Sequence, residues 1–441
     1  MSAQLSDSKK DNLIKDIVDQ ISYDEDENMI LRLIGKKDGI QDDALFRYDE
    51  FTYLLYSTKE FGISHKLREL KFAIPRGEGA FGTFGLPFFN IFKELKLEEK
   101  ASFKDFEEKF DRMLAEIKSQ HPLTKFALVY PLNVQIERQQ SLKVGKNSFD
   151  LLPFDDFKST FLDNVKDTYI STESGVVASS SRLKDVCSDQ FSYLTMDIYS
   201  RNTLFARQFA TEIVQSLLGL LVLASQLSSD NPYVHLERTP TISKLELNYI
   251  LVFSSNKLVE IDFLMPERQP EFEDPLSGDD LKLFSELLIC YNSIKDPDIK
   301  KVISEALIPY YWASIDREVA DSCFKYWICV ESLLFDATRG GKEIKTILKN
   351  LPFLKNEPHV ALKIDDLYNR RNLYAHEYKT DIHVIQQHLA RILANKLIAF
   401  LLKEHSLFAS KRELNKYYHL IQKQSETLQT NYASNRRARN Q

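Results

Sequence analysis

In the run Arg371-Asn372-Leu373-Tyr374-Ala375-His376, an arginine and a histidine stand five residues apart. Those two side-chain types are suited to cutting an RNA phosphodiester without a metal. The reaction must take a proton from a ribose 2′-hydroxyl, return one to the departing 5′-oxygen, and neutralise the charge that builds on phosphorus. Imidazole titrates near neutrality and serves as acid or base. Guanidinium stays charged and offers phosphate a planar fork of donors. The spacing adds a constraint: on a straight helix, positions five apart lie ~140° apart around the axis, whereas positions four apart, such as Asn372 and His376, share a face. Arg371 and His376 therefore converge on one phosphate only if the helix ends near Tyr374 or if a second copy of the chain brings its own motif. A two-fold dimer would set two histidines together, one as base and one as acid.

The elements that must position this run are helical. After a proline-rich acidic stretch at 265–276, the 3.6-residue hydrophobic period predicts helices at 279–294, 298–314, 317–337, 342–350, 357–374, 382–404 and 411–428. The earlier sequence has a different texture. Residues 1–125 mix helical patterns (11–21, 89–97, 103–119) with short apolar runs. From Phe126 onward, 126–130, 141–144 and 193–198 read as strands, 202–227 as one long helix, and 244–252 with 257–263 as a hairpin. The expected fold is α+β, an N-terminal mixed α/β region followed by a C-terminal all-α helical bundle. Its expected parts are an N-terminal α+β region (1–125), a strand-rich sensor or regulatory region (126–264), a linker (265–276), the helical domain (277–428) and a basic tail (429–441).

Composition narrows the class. With 43% hydrophobic and 28% charged residues the chain reads as folded globular protein. The net charge of −6 hides an asymmetry. Residues 339–441 carry 19 Lys+Arg against 9 Asp+Glu, while residues 1–338 carry 39 against 55. An anionic partner is thus expected for the C-terminal part only. Cys187, Cys290, Cys323 and Cys329 are scattered, without ligand spacing, so neither a metal site nor a disulfide framework is expected. The polar start carries no secretory pattern, and the most apolar stretch, Leu217 to Ala224, is shorter than the ~20 residues a membrane span needs. It reads as a buried helix, and a cytoplasmic protein without a membrane is expected.

The run Asp366-Leu367-Tyr368-Asn369-Arg370-Arg371-Asn372-Leu373-Tyr374-Ala375-His376 resembles the RNxxxH form of the HEPN signature. The upstream segment from Phe324 to Phe335 resembles the Trp-x-x-x-Glu-x-Leu helix of the Apea-like HEPN branch, through Trp327, Glu331 and Leu333. The resemblance covers the C-terminal third. It implies a helical bundle that dimerises and cuts single-stranded RNA to 2′,3′-cyclic phosphate ends without a metal or other cofactor, often as a prokaryotic antiviral (abortive infection) or toxin effector. By this resemblance Arg371 binds the scissile phosphate, His376 transfers protons and Asn372 orients one of them, with Glu331, Arg370, Tyr374 and Glu377 in support. Glu377 departs from the glycine that many relatives of this branch place after the histidine. An inactive HEPN dimer that holds RNA or a protein partner is the alternative. The trigger that residues 1–264 would sense is unknown.

Other candidates point less sharply. Glu331 lies on an apolar helix face, where a lone carboxylate is costly, so pairing with Arg370 or Arg371 is expected. Gly77-Glu78-Gly79-Ala80-Phe81-Gly82 matches a dinucleotide fingerprint but lacks the following helix, because Gly85 and Pro87 interrupt it. His359, His383 and His388 have no second ligand at metal spacing. Tyr417 and Tyr418, with the arginines of 436–439, could stack and hold single-stranded RNA, or the tyrosines could simply pack their helix.

Overall fold

The computed structural model describes most of residues 91–163 and 187–228, most of 249–263, and residues 278–334, 341–354, 358–377 and 382–423, with short pieces elsewhere. Within the helices, the side chains of 341–343, 358–362, 376 and 377 are among those left undescribed. The chain forms two compact units, Met1–Phe126 with Ile198–Gln208, and Ala127–Asp197 with Phe209–Gln441.

In the first unit, β1 (Ile21–Tyr23), β2 (Met29–Leu33) and β3 (Ala44–Arg47) form an antiparallel sheet in sequence order. Helix α1 (Phe103–Gln120) begins where Ser102 Oγ accepts the Asp105 N–H at 3.1 Å and Asp11 accepts the Phe103 N–H at 2.7 Å, which serves amides the helix cannot pair internally. The 11–21 pattern is helical at the described residues 11, 12, 14, 15 and 18, before β1 opens.

A six-stranded sheet lies mainly in the second unit. Its strands are β4 (Thr124–Leu132), β5 (Gln140–Val144), β6 (Asn147–Leu152), β9 (Ser192–Ser200), β10 (Tyr249–Ser254) and β11 (Lys257–Phe263), ordered β11-β10-β4-β9-β6-β5; β7 (Tyr169–Ser171) and β8 (Val177–Ser179) form a separate hairpin. β10 is buried from Tyr249 through Phe253, a continuous run that fits a strand covered on both faces. Alternate residues Tyr249, Leu251 and Phe253 join Val129, Tyr193, Phe157 and Phe161 in one core. The hairpin expected at 244–252 and 257–263 forms, but its first strand starts at Tyr249. The phenol of Tyr311 supplies the reason: its hydroxyl donates to Leu245 O at 2.9 Å and accepts the Leu247 N–H at 3.2 Å. Backbone groups that a ladder would have used are spent on that side chain.

Helix α2 (Thr203–Ser228) is the long helix expected at 202–227. Within it, Ala206–Ser228 is long and apolar enough to cross a membrane, yet 67% of its apolar stretch is buried inside the protein. Leu217 to Ala224 is buried throughout, and at Gly219 the backbone of the next helical layer comes close. Ser216 Oγ donates to Ser304 O at 3.1 Å. This is a core helix.

The helices expected from the period are α3 (Gly278–Ser293), α4 (Pro297–Ile315), α5 (Val319–Leu334), α6 (Gly341–Asn350), α7 (Pro358–Glu377), α8 (Val384–Glu404) and α9 (411–423). α4 starts with Pro297 after Asp296, whose carboxylate accepts the Ile299 N–H at 2.8 Å, a regular N-cap with proline at the first position. Helix α5 packs against α4, α7 and α8. The expected linker lies outside the described residues except for Leu276, which bridges Val134 beside β4. Around it, strands and helices share one unit: Asn292 of α3 accepts the Gly145 N–H at 3.1 Å and donates to Lys143 O at 2.6 Å, clamping the β5–β6 turn. Gly145 sits at φ +61°, the left-handed conformation such two-residue turns require. The architecture is therefore mixed, an antiparallel sheet followed by a helical C-terminal part.

Candidate active site

Helix α5 buries Cys323, Tyr326, Trp327, Val330, Leu333 and Leu334, three or four residues apart, on one side. The opposite side stays half-exposed and presents Asp321, Phe324, Ile328 and Glu331. Helix α7 buries Ile364 and Leu367, and leaves Arg371, Asn372 and Tyr374 half-exposed. The two half-exposed faces meet, and the contacts between them form the candidate site.

Its centre is an ion pair. Arg371 Nη2 donates to Glu331 Oε2 at 2.5 Å, and Trp327 Nε1, one helical turn before Glu331, donates to Glu331 Oε1 at 2.9 Å. Arg371 Nη1 donates to Asn372 Oδ1 at 2.9 Å, while its guanidinium carbon lies 5.6 Å from the centre of the Phe324 ring. Among the described residues, none accepts a hydrogen bond from the buried Arg371 Nε. With side-chain exposures of 18% and 22%, Arg371 and Glu331 are screened from water without being sealed from it. A guanidinium held in this way has its orientation set before any anion arrives.

Of the two partners expected for Glu331, the structure selects Arg371. Arg370 turns instead to Asp366 one turn earlier, with Nε 3.0 and 3.2 Å from its carboxylate oxygens. Gln386 of α8 donates to the same carboxylate at 3.0 Å, and that bond, helped by Arg370, holds Asp366 below the usual carboxylate range. Next along α7, Lys349 and then Lys345 of α6 depress Asp365. Lys325 pairs with Asp316. The surroundings of the motif are thus charge-compensated.

Tyr374 donates to Asp321 of α5, and its ring lies 5.7 Å from that of Phe324. The negative partner keeps the phenol protonated and raises its pKa from 10.0 to about 12. A raised folded-state value means that this contribution to stability is full below the unfolded value near 10 and fades as pH rises through about 12. Tyr374→Phe is expected to cost about 1 kcal/mol at neutral pH, at the low end for a charged hydrogen bond because the pair is half in solvent. Urea unfolding of the two proteins at pH 7 checks this; equal stabilities would reject the bond.

The helix end expected near Tyr374 does not occur. α7 continues through His376 to Glu377, since no glycine or proline interrupts Asn372 to Glu377. Arg371 and His376 therefore lie ~140° apart on one unbroken helix. For His376 and Glu377 the backbone alone is described, in the last turn of α7, and the question raised by the carboxylate of Glu377 falls outside the described residues.

The remaining candidates take other places. His383 precedes α8, its N–H donating to Gln386 Oε1 at 3.0 Å, while buried His388 lies 2.9 Å from Arg391 Nη2. Among the described residues no group of three or more His, Cys, Asp or Glu could hold a metal. Tyr418 is fully buried and Tyr417 stacks on Phe400, so both pack α9 onto α8. The Gly77 loop and the 436–439 arginines lie outside the described residues. Sequence reasoning left out Asp321 and Phe324, although their spacing of ten and seven residues before Glu331 puts them on its helical face. Set against known protein families, characterised proteins and solved structures, the chain shows no match.

Proposed function

We propose that the chain is a metal-independent endoribonuclease of HEPN type that cleaves single-stranded RNA to 2′,3′-cyclic phosphate ends. The observation that carries this reading is Arg371, oriented by Glu331 and Asn372, five residues before His376 on one continuous helix. Arg371 binds the scissile phosphate. A histidine takes the 2′-hydroxyl proton, the 2′-oxygen attacks phosphorus, and a second histidine protonates the departing 5′-oxygen. Because one helix does not bring Arg371 and His376 to a common point, two copies of the chain build each site, as a homodimer through the helical part. The cellular role that fits is a cytoplasmic prokaryotic antiviral effector of the abortive-infection kind, with residues 1–264 sensing the trigger.

A second reading has its own observation. The Glu331 carboxylate already matches the charge of Arg371, as a scaffold that holds RNA or protein without cutting would permit. One assay separates them. Labelled RNA is incubated with the protein in EDTA, beside the Arg371→Ala and His376→Ala variants. Cleavage by the wild type, lost by at least ~100-fold in both variants, is the expected result for removal of an acid–base or phosphate-binding group. Equal cleavage by His376→Ala would reject the assigned site, and binding without cleavage by any of the three would select the scaffold.

A further inference from the structure

A carboxylate facing a guanidinium ordinarily closes on it with both oxygens, through two parallel hydrogen bonds. Here it does not. Glu331 gives Arg371 one oxygen, Oε2 at 2.5 Å, because the other, Oε1, is taken at 2.9 Å by the indole N–H of Trp327. Trp327 is fully buried, and its ring packs edge-on against Tyr368 at 5.9 Å. An indole nitrogen is a donor only, and a buried N–H left without an acceptor is costly, so the indole holds Oε1 firmly. Among the described residues, Arg371 keeps donors without an acceptor, the buried Nε among them.

We propose that Trp327 is a positioning residue that acts through Glu331: by occupying one carboxylate oxygen it restricts Glu331 to a single-oxygen grip and leaves the Arg371 guanidinium able to take an RNA phosphate. This rests on the reading of Arg371 as the phosphate-binding residue. Without the indole N–H, Oε1 is free to swing onto Arg371, and the phosphate must then displace a two-bonded partner of like charge. Glu331 sets where the guanidinium lies, and Trp327 limits how much of it Glu331 consumes.

The test is binding of a fluorescent, uniformly 2′-O-methylated RNA, whose blocked 2′-oxygens prevent cleavage. Wild type is compared with Arg371→Ala, Trp327→Phe, Glu331→Gln and the Trp327→Phe/Glu331→Gln double variant. Trp327→Phe is expected to bind about tenfold more weakly than wild type, as weakly as Arg371→Ala, the scale set by one charge-assisted hydrogen bond. In the Glu331→Gln background, whose single acceptor oxygen cannot close a two-bonded grip, Trp327→Phe is expected to cost no further binding. A structural loss of the indole would cost the same in either background. Should Trp327→Phe unfold, Trp327→3-benzothienylalanine removes the N–H while keeping the bicyclic ring, and its binding decides. If Trp327→Phe binds like wild type while Arg371→Ala is weak, or if Trp327→Phe weakens binding equally in the Glu331→Gln background, the proposal is overturned and the RNA reading stands. If Arg371→Ala itself binds like wild type, the reading of Arg371 fails and this inference with it.

Discussion

An equimolar, co-refolded mixture of wild-type and His376→Ala chains is expected to cleave RNA at about a quarter of the rate of the same amount of wild type, because random pairing gives only about a quarter of the dimers both histidines. The expectation follows from backbone geometry. α7 runs unbroken from Pro358 to Glu377, so Arg371 and His376 stand ~140° apart around it. A phosphate gripped by Arg371 needs a histidine from elsewhere, and pairing with a second copy of the same helix brings two histidines together, one as acid and one as base. If each chain carried its own complete site, every mixed dimer would keep one of its two working, and about half the activity would remain. Mass spectrometry of the mixture establishes that mixed dimers exist. Their presence with about half of the cleavage retained would overturn the shared site while leaving the ribonuclease reading to the single-variant assay.

Gly219→Ala is expected to lower the stability of the fold by about 2–3 kcal/mol, although alanine is the better helix former by ~1 kcal/mol. The sign is decided by packing. A Cβ at Gly219 would lie 2.5 Å from Leu307 O and 3.0 Å from Leu307 Cβ. The obstructing atoms belong to the backbone and base of α4, which cannot rotate out of the way, so α2 and α4 must separate. Around this crossing lie the buried phenols of Tyr310 and Tyr326, both bonded to Gln226 of α2, at 2.8 and 3.3 Å. Separation therefore costs those bonds as well as apolar contact. Gly278→Ala is the control, since a Cβ there meets nothing within 4 Å. Urea unfolding that shows Gly219→Ala as stable as, or more stable than, the wild type would refute the close approach of these helices.

The second expectation depends on a contact between segments far apart in sequence, and that is where sequence reading stopped. The 3.6-residue period located α3 to α9, and the alternation around Ser255 located the β10–β11 hairpin, because those patterns express short-range rules of side-chain direction. The helix end near Tyr374 was misplaced because an ending needs a positive signal, a glycine or proline, which Asn372 to Glu377 lacks. The start of β10 was misplaced because Tyr311, more than sixty residues later, claims the backbone of Leu245 and Leu247. No local pattern encodes that contact.

For the motif itself the division is similar. The sequence alone determined the chemistry on offer: an arginine, an asparagine and a histidine at helical spacing, in a basic C-terminal part, with a Trp327–Glu331 turn upstream. Tertiary structure alone decided that Glu331 faces Arg371 while Arg370 turns to Asp366, that Trp327 takes the second carboxylate oxygen, and that α2 belongs to the core beneath the helices. The physical reason is that spacing sets which residues share a face of one helix, whereas a partner on another helix is chosen by the angle and distance at which the two pack.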